Sequence, residues 1–289
     1  MCVHKQNKSN SSGFTLVELS IVIIIIGLLI SGVVAGTSLI KQAQLYSVIS
    51  DIQSYQIAYN TFVARYGYPP GDLPTAQTIW PTCASDPKTL PCIGNGDGLV
   101  NVSTLTPPNP NASVNEGGLA WRELALSGLI SAGISPIAAA SNKGGATNAP
   151  GVIGQYNPLS KVQDAAYTMF QGDSVAITTS GWGGASFPTG LWDDGKTNAV
   201  FLGGPAAAAS PFYVGGALDA DDAYSIDSKI DDGTINNGVF VGANTGAFRT
   251  IEGFGAAAGA CLIGGNAANA TTYNVTNITK SCVGALALN

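Results

Sequence analysis

The sequence predicts an α+β fold in which a long N-terminal hydrophobic α-helix, the stem, packs on a Gly-rich antiparallel β head domain. An apolar segment at 14–36 is followed by a helix-compatible segment at 37–66 with a regular apolar stripe. Beyond it, short β-like runs alternate with turns, and 37 of the 289 residues are Gly. We therefore divide the chain into a leader (1–13), a membrane-spanning helix (14–36), its amphipathic continuation (37–66) and a globular β-rich head (67–289).

The charge and histidine content excludes several classes of function. Charged residues make up only 10% of the chain, and the net charge is −6 at pH 7. A chain with no basic patch does not neutralise a phosphate backbone, so we expect no specific nucleic-acid binding. The single histidine is His4, near the N-terminus, so a catalytic triad and a His-rich zinc site lack their central residue. We therefore predict that the protein is not an enzyme.

The segment at 14–36 is apolar apart from one charged residue, Glu18. It is long enough to cross a bilayer, which needs about 20 apolar residues. It is also longer than the apolar core of a secretory signal peptide, which has about 7–15 residues. Lys5 and Lys8 precede it and favour a cytoplasmic N-terminus. A carboxylate in hydrocarbon costs about 2.5–3.5 kcal/mol, so Glu18 needs a partner.

The sequence GFTLVE at residues 13–18 resembles the processing motif of type IV prepilins and of the pseudopilins of type II secretion. The resemblance implies that a prepilin peptidase cuts between Gly13 and Phe14 on the cytoplasmic face and methylates the new terminus to N-methylphenylalanine. It also implies that Glu18 of one subunit pairs with the Phe14 ammonium group of its neighbour. Such a pair relieves the cost of a buried charge and fixes the stagger between packed helices.

The same resemblance implies a structural subunit of a type IV pilus-like or type II secretion pseudopilus filament. Its partners would be copies of itself, other pilins or pseudopilins, prepilin peptidase and an inner-membrane assembly platform. It would be a single-pass inner-membrane protein before assembly and part of a periplasmic or extracellular filament afterwards. One alternative is a minor pilin whose head binds a ligand or a surface. Another is a membrane-anchored glycoside hydrolase, for which Trp182 and Trp192 near Asp193 and Asp194 would form the sugar site.

The stem continues after residue 36 as an amphipathic helix. Its apolar and aromatic residues recur in steps of three and four, which places them on one helix face: Leu45, Val48, Ile52, Tyr55, Tyr59, Phe62 and Tyr66. We expect this stripe to pack on the head.

The head is predicted to begin with a turn-rich loop. The sequence RYGYPPGDLPTA at 65–76 is similar to the post-helix loop of a group of long pseudopilin-like proteins, as are the segments at 117–130 and 226–233. Residues 119–130 predict a short amphipathic helix. The predicted strands are Tyr167–Phe170, Val175–Thr179, Ala199–Leu202, Val239–Ala243 and Thr250–Phe254.

Four cysteines follow the leader, and export to an oxidising compartment favours disulfides between them. Closeness in sequence favours the pairs Cys83–Cys92 and Cys261–Cys282, although three connectivities are open. Zinc is the alternative, but the sequence has neither a C-x-x-C spacing nor a histidine in the head.

Two acidic segments make Ca²⁺ the candidate cofactor, and we expect no other. One is Asn95-Gly96-Asp97-Gly98, and the other contains six aspartates between Asp219 and Asp232. Oxygen-rich loops with glycine suit Ca²⁺, although neither segment has the EF-hand spacing. The alternative is a set of acidic turns that face water. The candidate ligands are Asp227, Asp231 and Asp232.

Overall fold

The computed structural model describes residues 15–81, 93–101, 116–131, 157–171, 197–205, 213–231, 248–252, 259–263 and 272–288. The helices described there are α1 (Leu16–Tyr66), α2 (Ala76–Ile79), α3 (Glu116–Leu126) and α4 (Ala220–Ile230). The strands are β1 (Ala166–Gln171), β2 (Asn198–Pro205), β3 (Tyr213–Gly215), β4 (Phe248–Glu252), β5 (Leu262–Ile263), β6 (Thr272–Tyr273) and β7 (Cys282–Ala287). A long apolar helix together with an antiparallel sheet confirms the predicted α+β class.

The main sheet is antiparallel with the order β1-β2-β7-β4, and β3 also pairs with β2. The C-terminal strand β7 therefore lies in the middle of the sheet, between two strands that precede it in the chain. Phe170 of β1 and Phe201 of β2 stack with their ring centroids 4.0 Å apart. A separate two-stranded sheet joins β5 to β6.

The chain divides into two compact units, residues 1–44 and 45–289, so the second half of α1 belongs to the same unit as the head. The predicted stripe is confirmed, since Val48, Ile52, Tyr59 and Phe62 are buried. The other stripe residues are partly buried and pack against the same core: Leu45, Tyr55 and Tyr66.

Aromatic edge contacts join this part of α1 to α3 and β1. The Tyr55 ring meets the Trp121 ring at 4.9 Å and the Tyr167 ring at 5.0 Å between centroids. Helix α1 ends at Tyr66, and the next residue, Gly67, has a φ of 80° that lets the chain turn and an N–H that donates to Val63 O. A left-handed glycine after the last helical residue is a common helix stop.

The predicted elements were found where the described residues cover them. Helix α3 begins three residues earlier than predicted and ends at Leu126, and β1 and β2 contain the predicted strands at 167–170 and 199–202. Strand β4 overlaps the prediction at 250–254, while the predictions at 175–179 and 239–243 lie outside the described residues. The other described elements were not predicted: α2, α4, β3, β5, β6 and β7.

Asn198, the first residue of β2, joins three parts of the head. Its Nδ2 group donates to Tyr59 Oη of α1 over 2.9 Å and to Gly98 O over 3.0 Å. Its Oδ1 accepts from the N–H of Val100 over 2.7 Å. Asn198 is fully buried, so its side-chain amide depends on these partners rather than on water.

We predict that Asn198→Ala lowers the free energy of unfolding of the head by about 2–4 kcal/mol, because the buried groups of Tyr59 and Val100 lose a hydrogen-bond partner. Urea unfolding of the full chain in detergent, followed by circular dichroism, measures this change. Asn60→Ala, at an exposed position on α1, is the control and should change stability by less than about 0.5 kcal/mol. Equal stability of Asn198→Ala and the parent protein would contradict the assigned role.

A disulfide joins Cys261, just before β5, to Cys282 at the start of β7, and both residues are buried. The bridge closes a loop with a sequence separation of 21 residues. Cys83 and Cys92 lie outside the described residues, so their pairing remains a prediction.

We predict that Cys261→Ala/Cys282→Ala lowers the free energy of unfolding by about 3 kcal/mol, since a loop of this length gains that much freedom in the unfolded chain. Thermal unfolding of the two forms under oxidising conditions gives the difference. Cys2→Ala, in the leader, serves as the control. An unchanged midpoint for the double variant would count against the bridge.

Candidate functional site

Glu18 closes a capping box with Thr15 at the start of α1. The N–H and the hydroxyl of Thr15 each donate to Glu18 Oε2 over 2.8 Å, and the N–H of Glu18 donates to Thr15 Oγ1 over 3.2 Å. This reciprocal pattern satisfies first-turn N–H groups that have no partner within the helix. The carboxylate of Glu18 is therefore held beside residue 15, the immediate neighbour of Phe14.

The first half of α1 is apolar on every side. The side chains from Ile21 to Ile26 are each about half exposed or more, and six consecutive residues of a helix cover all of its faces. Leu16 is 85% exposed, and Ile40 is 62% exposed. This helix is long and apolar enough to cross a membrane. An exposed apolar surface of this extent marks a site of contact with a membrane or with another protein.

The aspartates proposed as calcium ligands near residue 230 belong to α4. Asp219 is the N-cap of this helix, and its Oδ1 accepts from the N–H of Asp222 over 2.8 Å. Asp227 is buried, and the Tyr273 hydroxyl lies 2.6 Å from its Oδ2. Asp231 is the exposed C-cap residue, and Asp232 lies outside the described residues. Helix capping by Asp219 and the contact of Asp227 with Tyr273 are the described roles of these acids, and calcium binding by Asp227, Asp231 and Asp232 stays a prediction.

Carboxylates converge instead where the post-helix turn meets α3. One oxygen each of Asp72, Asp97 and Glu116 lies within 4.8 Å of the other two. Asp72 and Glu116 are buried, whereas Asp97 is exposed. We call these three residues the acidic cluster. They come from three separate segments: the turn after α1, the loop at 93–101 and the first residue of α3.

Backbone N–H groups hold the acidic cluster in place. Asp72 accepts from the N–H groups of Gly96, Asp97 and Gly98. Glu116 accepts from the N–H of Asn95 over 3.0 Å through Oε1 and from the N–H of Asn101 over 2.7 Å through Oε2. Side-chain N–H groups reach Asp97 as well, since the amides of Asn95 and Asn101 donate to its Oδ2.

A fourth carboxylate, that of Glu123, lies next to the acidic cluster. Glu123 is fully buried, and its Oε2 accepts from the N–H of Gly71 over 2.7 Å. Burial raises the pKa of Glu123 to about 8, with the charges of Asp72 and Glu116 acting in the same direction and the Gly71 N–H and the charge of Arg122 opposing them. Burial likewise raises the pKa of Glu116 to about 8, with the charges of Asp72 and Asp97 adding to the effect. Burial also raises the pKa of Asp72.

Two glycines allow the segments to approach this closely. A Cβ on Gly71 would overlap the carbonyl oxygen of Glu116, and a Cβ on Gly94 would overlap the backbone of Asp72. Gly71 also has a φ of 91°, which disfavours other residues. The turn, the loop and α3 are therefore packed backbone to backbone.

Sequence reasoning pointed to Asp97 but missed Asp72, Glu116 and Glu123. The available signal was Gly71-Asp72 after the helix together with acids seven residues apart at 116 and 123, which share one helix face. Several other candidate residues lie outside the described residues, so the predictions about them stay predictions: Gly13, Phe14, Trp182, Trp192, Asp193 and Asp194.

Comparison with known proteins identifies the N-terminal segment. Residues 8–34 match the family model for the prokaryotic N-terminal methylation motif. No curated protein and no solved structure matches the chain. The match contains the GFTLVE sequence and all but the last two residues of the apolar segment at 14–36. The chain therefore carries the type IV pilin and pseudopilin signature at its N-terminus.

Proposed function

We propose that this protein is a structural subunit of a type IV pilus-like or type II secretion pseudopilus filament, assembled through its N-terminal helix. The observation that carries this proposal is the apolar surface of residues 16–40, exposed on every side of α1 and interrupted near its start by one carboxylate, Glu18. Lipid covers such a surface before assembly, and the same helix of neighbouring subunits covers it in a filament.

Processing prepares the chain for assembly. Prepilin peptidase hydrolyses the peptide bond between Gly13 and Phe14, which removes the leader with Lys5 and Lys8 and frees the Phe14 amine. Methylation of that amine leaves it able to carry a positive charge. The mature chain then begins with a cation directly before the capping box of Thr15 and Glu18.

The capping box prepares Glu18 for a partner on a second subunit. Both hydrogen bonds from Thr15 go to Glu18 Oε2, and a carboxylate has about four acceptor positions. The Phe14 ammonium group of a neighbouring subunit supplies the opposite charge. Only one stagger of the two helices brings these groups together, so the pair selects one packing arrangement among apolar helices that otherwise slide.

The proposed role also implies where the chain lies before and after assembly. The chain resides in the inner membrane with its N-terminus in the cytoplasm, and an assembly platform transfers it into a periplasmic or extracellular filament with other pilins or pseudopilins. The signature is that of structural proteins rather than enzymes. A minor pilin with a ligand-binding head is the second candidate, favoured by the length of the head at 67–289. Quantitative mass spectrometry of sheared filaments separates the two, because a principal subunit dominates and a tip protein is scarce.

We predict that Gly13→Val blocks processing, because a branched side chain before the scissile bond hinders approach of the peptidase to the backbone. Immunoblotting of cells that express the peptidase should show only the full-length chain. Gly27→Val, within the apolar helix, where a Cβ meets no atom within 4 Å, is the control and should be cut normally. Normal cleavage of Gly13→Val would contradict the assigned cleavage site.

We predict that Glu18→Gln is processed normally but yields about tenfold less filament or worse, since breaking a buried ion pair costs about 3–5 kcal/mol. Sheared filaments measured by immunoblot give the yield. Asp221→Asn, exposed on α4, is the matched control for loss of one negative charge. A parental yield from Glu18→Gln would rule out the pairing.

A further inference from the structure

We propose that the acidic cluster of Asp72, Asp97 and Glu116 binds one Ca²⁺ ion, with Glu123 as a supporting carboxylate. This site lies in the post-helix turn, the 93–101 loop and α3, away from the α4 aspartates. The proposal does not depend on the filament function, because it concerns only the folded head.

The spacing of the oxygens suits Ca²⁺. Ca²⁺ takes six to eight oxygen ligands at about 2.3–2.6 Å, so oxygens on opposite sides of the ion lie about 4.6–5.2 Å apart. The three converging oxygens of the acidic cluster all lie within 4.8 Å of one another. Mg²⁺ needs a smaller and more regular octahedron at about 2.0–2.1 Å and retains several waters. An irregular set of carboxylates on loops therefore favours Ca²⁺.

The existing hydrogen bonds leave positions for a cation. Each oxygen of Glu116 accepts one N–H, and so does Asp97 Oδ1, from Leu99. Asp72 Oδ2 accepts one N–H, from Gly98. Because a carboxylate oxygen has two lone pairs, each of these oxygens has a second acceptor position. The N–H groups orient the carboxylates, as outer hydrogen bonds orient metal ligands generally.

Glu123 supplies an independent observation. It is fully buried on the same face of α3 as Glu116, and its Oε2 is bound to the N–H that precedes Asp72. Its Oε1 is buried and has no hydrogen-bond partner among the described residues. A buried carboxylate oxygen without a partner is costly. The charges of Asp72 and Glu116 act on Glu123, so a cation bound between those two carboxylates would also offset the cost of this oxygen.

Repulsion among the carboxylates of the acidic cluster also favours a bound cation. The charges that act most strongly on Asp72 and Glu116 are those of other carboxylates. Neutral N–H groups orient these acids but do not cancel their charge, and repulsion between carboxylates in a poorly hydrated site is strong. A divalent ion cancels two of the negative charges. Asp97 is exposed and gives the ion a path from solvent.

Calcium at this position would stabilise the part of the head that follows α1. The ion would join the turn after α1, the loop at 93–101 and α3, and Asn198 already links that loop to Tyr59 of α1. We therefore expect Ca²⁺ to raise the thermal midpoint of the head, because a ligand that binds only the folded state stabilises it.

Calorimetric titration of the full chain in detergent with CaCl₂, after dialysis against EDTA, tests the proposal. The expected result is one Ca²⁺ per chain with a Kd below about 1 mM, and at least tenfold weaker binding by Asp97→Asn and by Glu123→Gln. Asp231→Asn, which removes an exposed acid of the other segment, should bind as the parent does. Circular dichroism in EDTA confirms that each variant is folded.

Three results would overturn the proposal. The first is a folded parent chain that shows neither heat of binding nor a higher thermal midpoint at about 5–10 mM Ca²⁺, which is 5–10 times the highest expected Kd. The second is parental affinity in both Asp97→Asn and Glu123→Gln. The third is loss of binding in Asp231→Asn, which would place the ion at the end of α4. If one cluster variant does not fold, the other decides.

Discussion

The first half of α1 has an apolar surface that water cannot cover at low cost, and the proposed filament function rests on that constraint. From Ile21 to Ile26 no face of the helix is polar, so a head domain packed on one side would leave the rest exposed. A bilayer covers it completely, and so do several identical helices packed together. In the proposed filament, the single carboxylate at the start of this helix, Glu18, selects the register, because few other interactions among apolar helices depend on it.

The second half of α1 packs on the head instead of exposing an apolar surface. Its apolar residues lie on one stripe, which packs on α3 and β1 through Tyr55, Trp121 and Tyr167. The same helix therefore exposes an apolar surface in its first half and packs on the head in its second half. The turn that follows it is fixed by close backbone packing at Gly71 and Gly94, and this packing brings together the carboxylates of the acidic cluster.

The sequence was sufficient to predict the elements that depend on local pattern. Helix α1 and its stripe follow from periodicity, and β1 and β2 follow from short β-branched and aromatic runs. Strand β7 escaped prediction because CVGALA is rich in Gly and Ala, which have weak strand propensity, and its place in the sheet comes from pairing with distant strands. Helix α4 was not predicted because its aspartates were interpreted as metal ligands, whereas Asp219 caps the helix. The acidic cluster could not be predicted, since Asp72, Asp97 and Glu116 meet only through tertiary packing.

The central claim is that a freed amine at Phe14 neutralises the carboxylate held at the start of this helix. Mass spectrometry of the N-terminal peptide, taken from the protein in its assembled form, tests this most directly. The account predicts a chain that begins at Phe14 and carries one N-methyl group. An assembled chain that still begins at Met1 would contradict it, because the leader would leave no terminal amine beside Glu18.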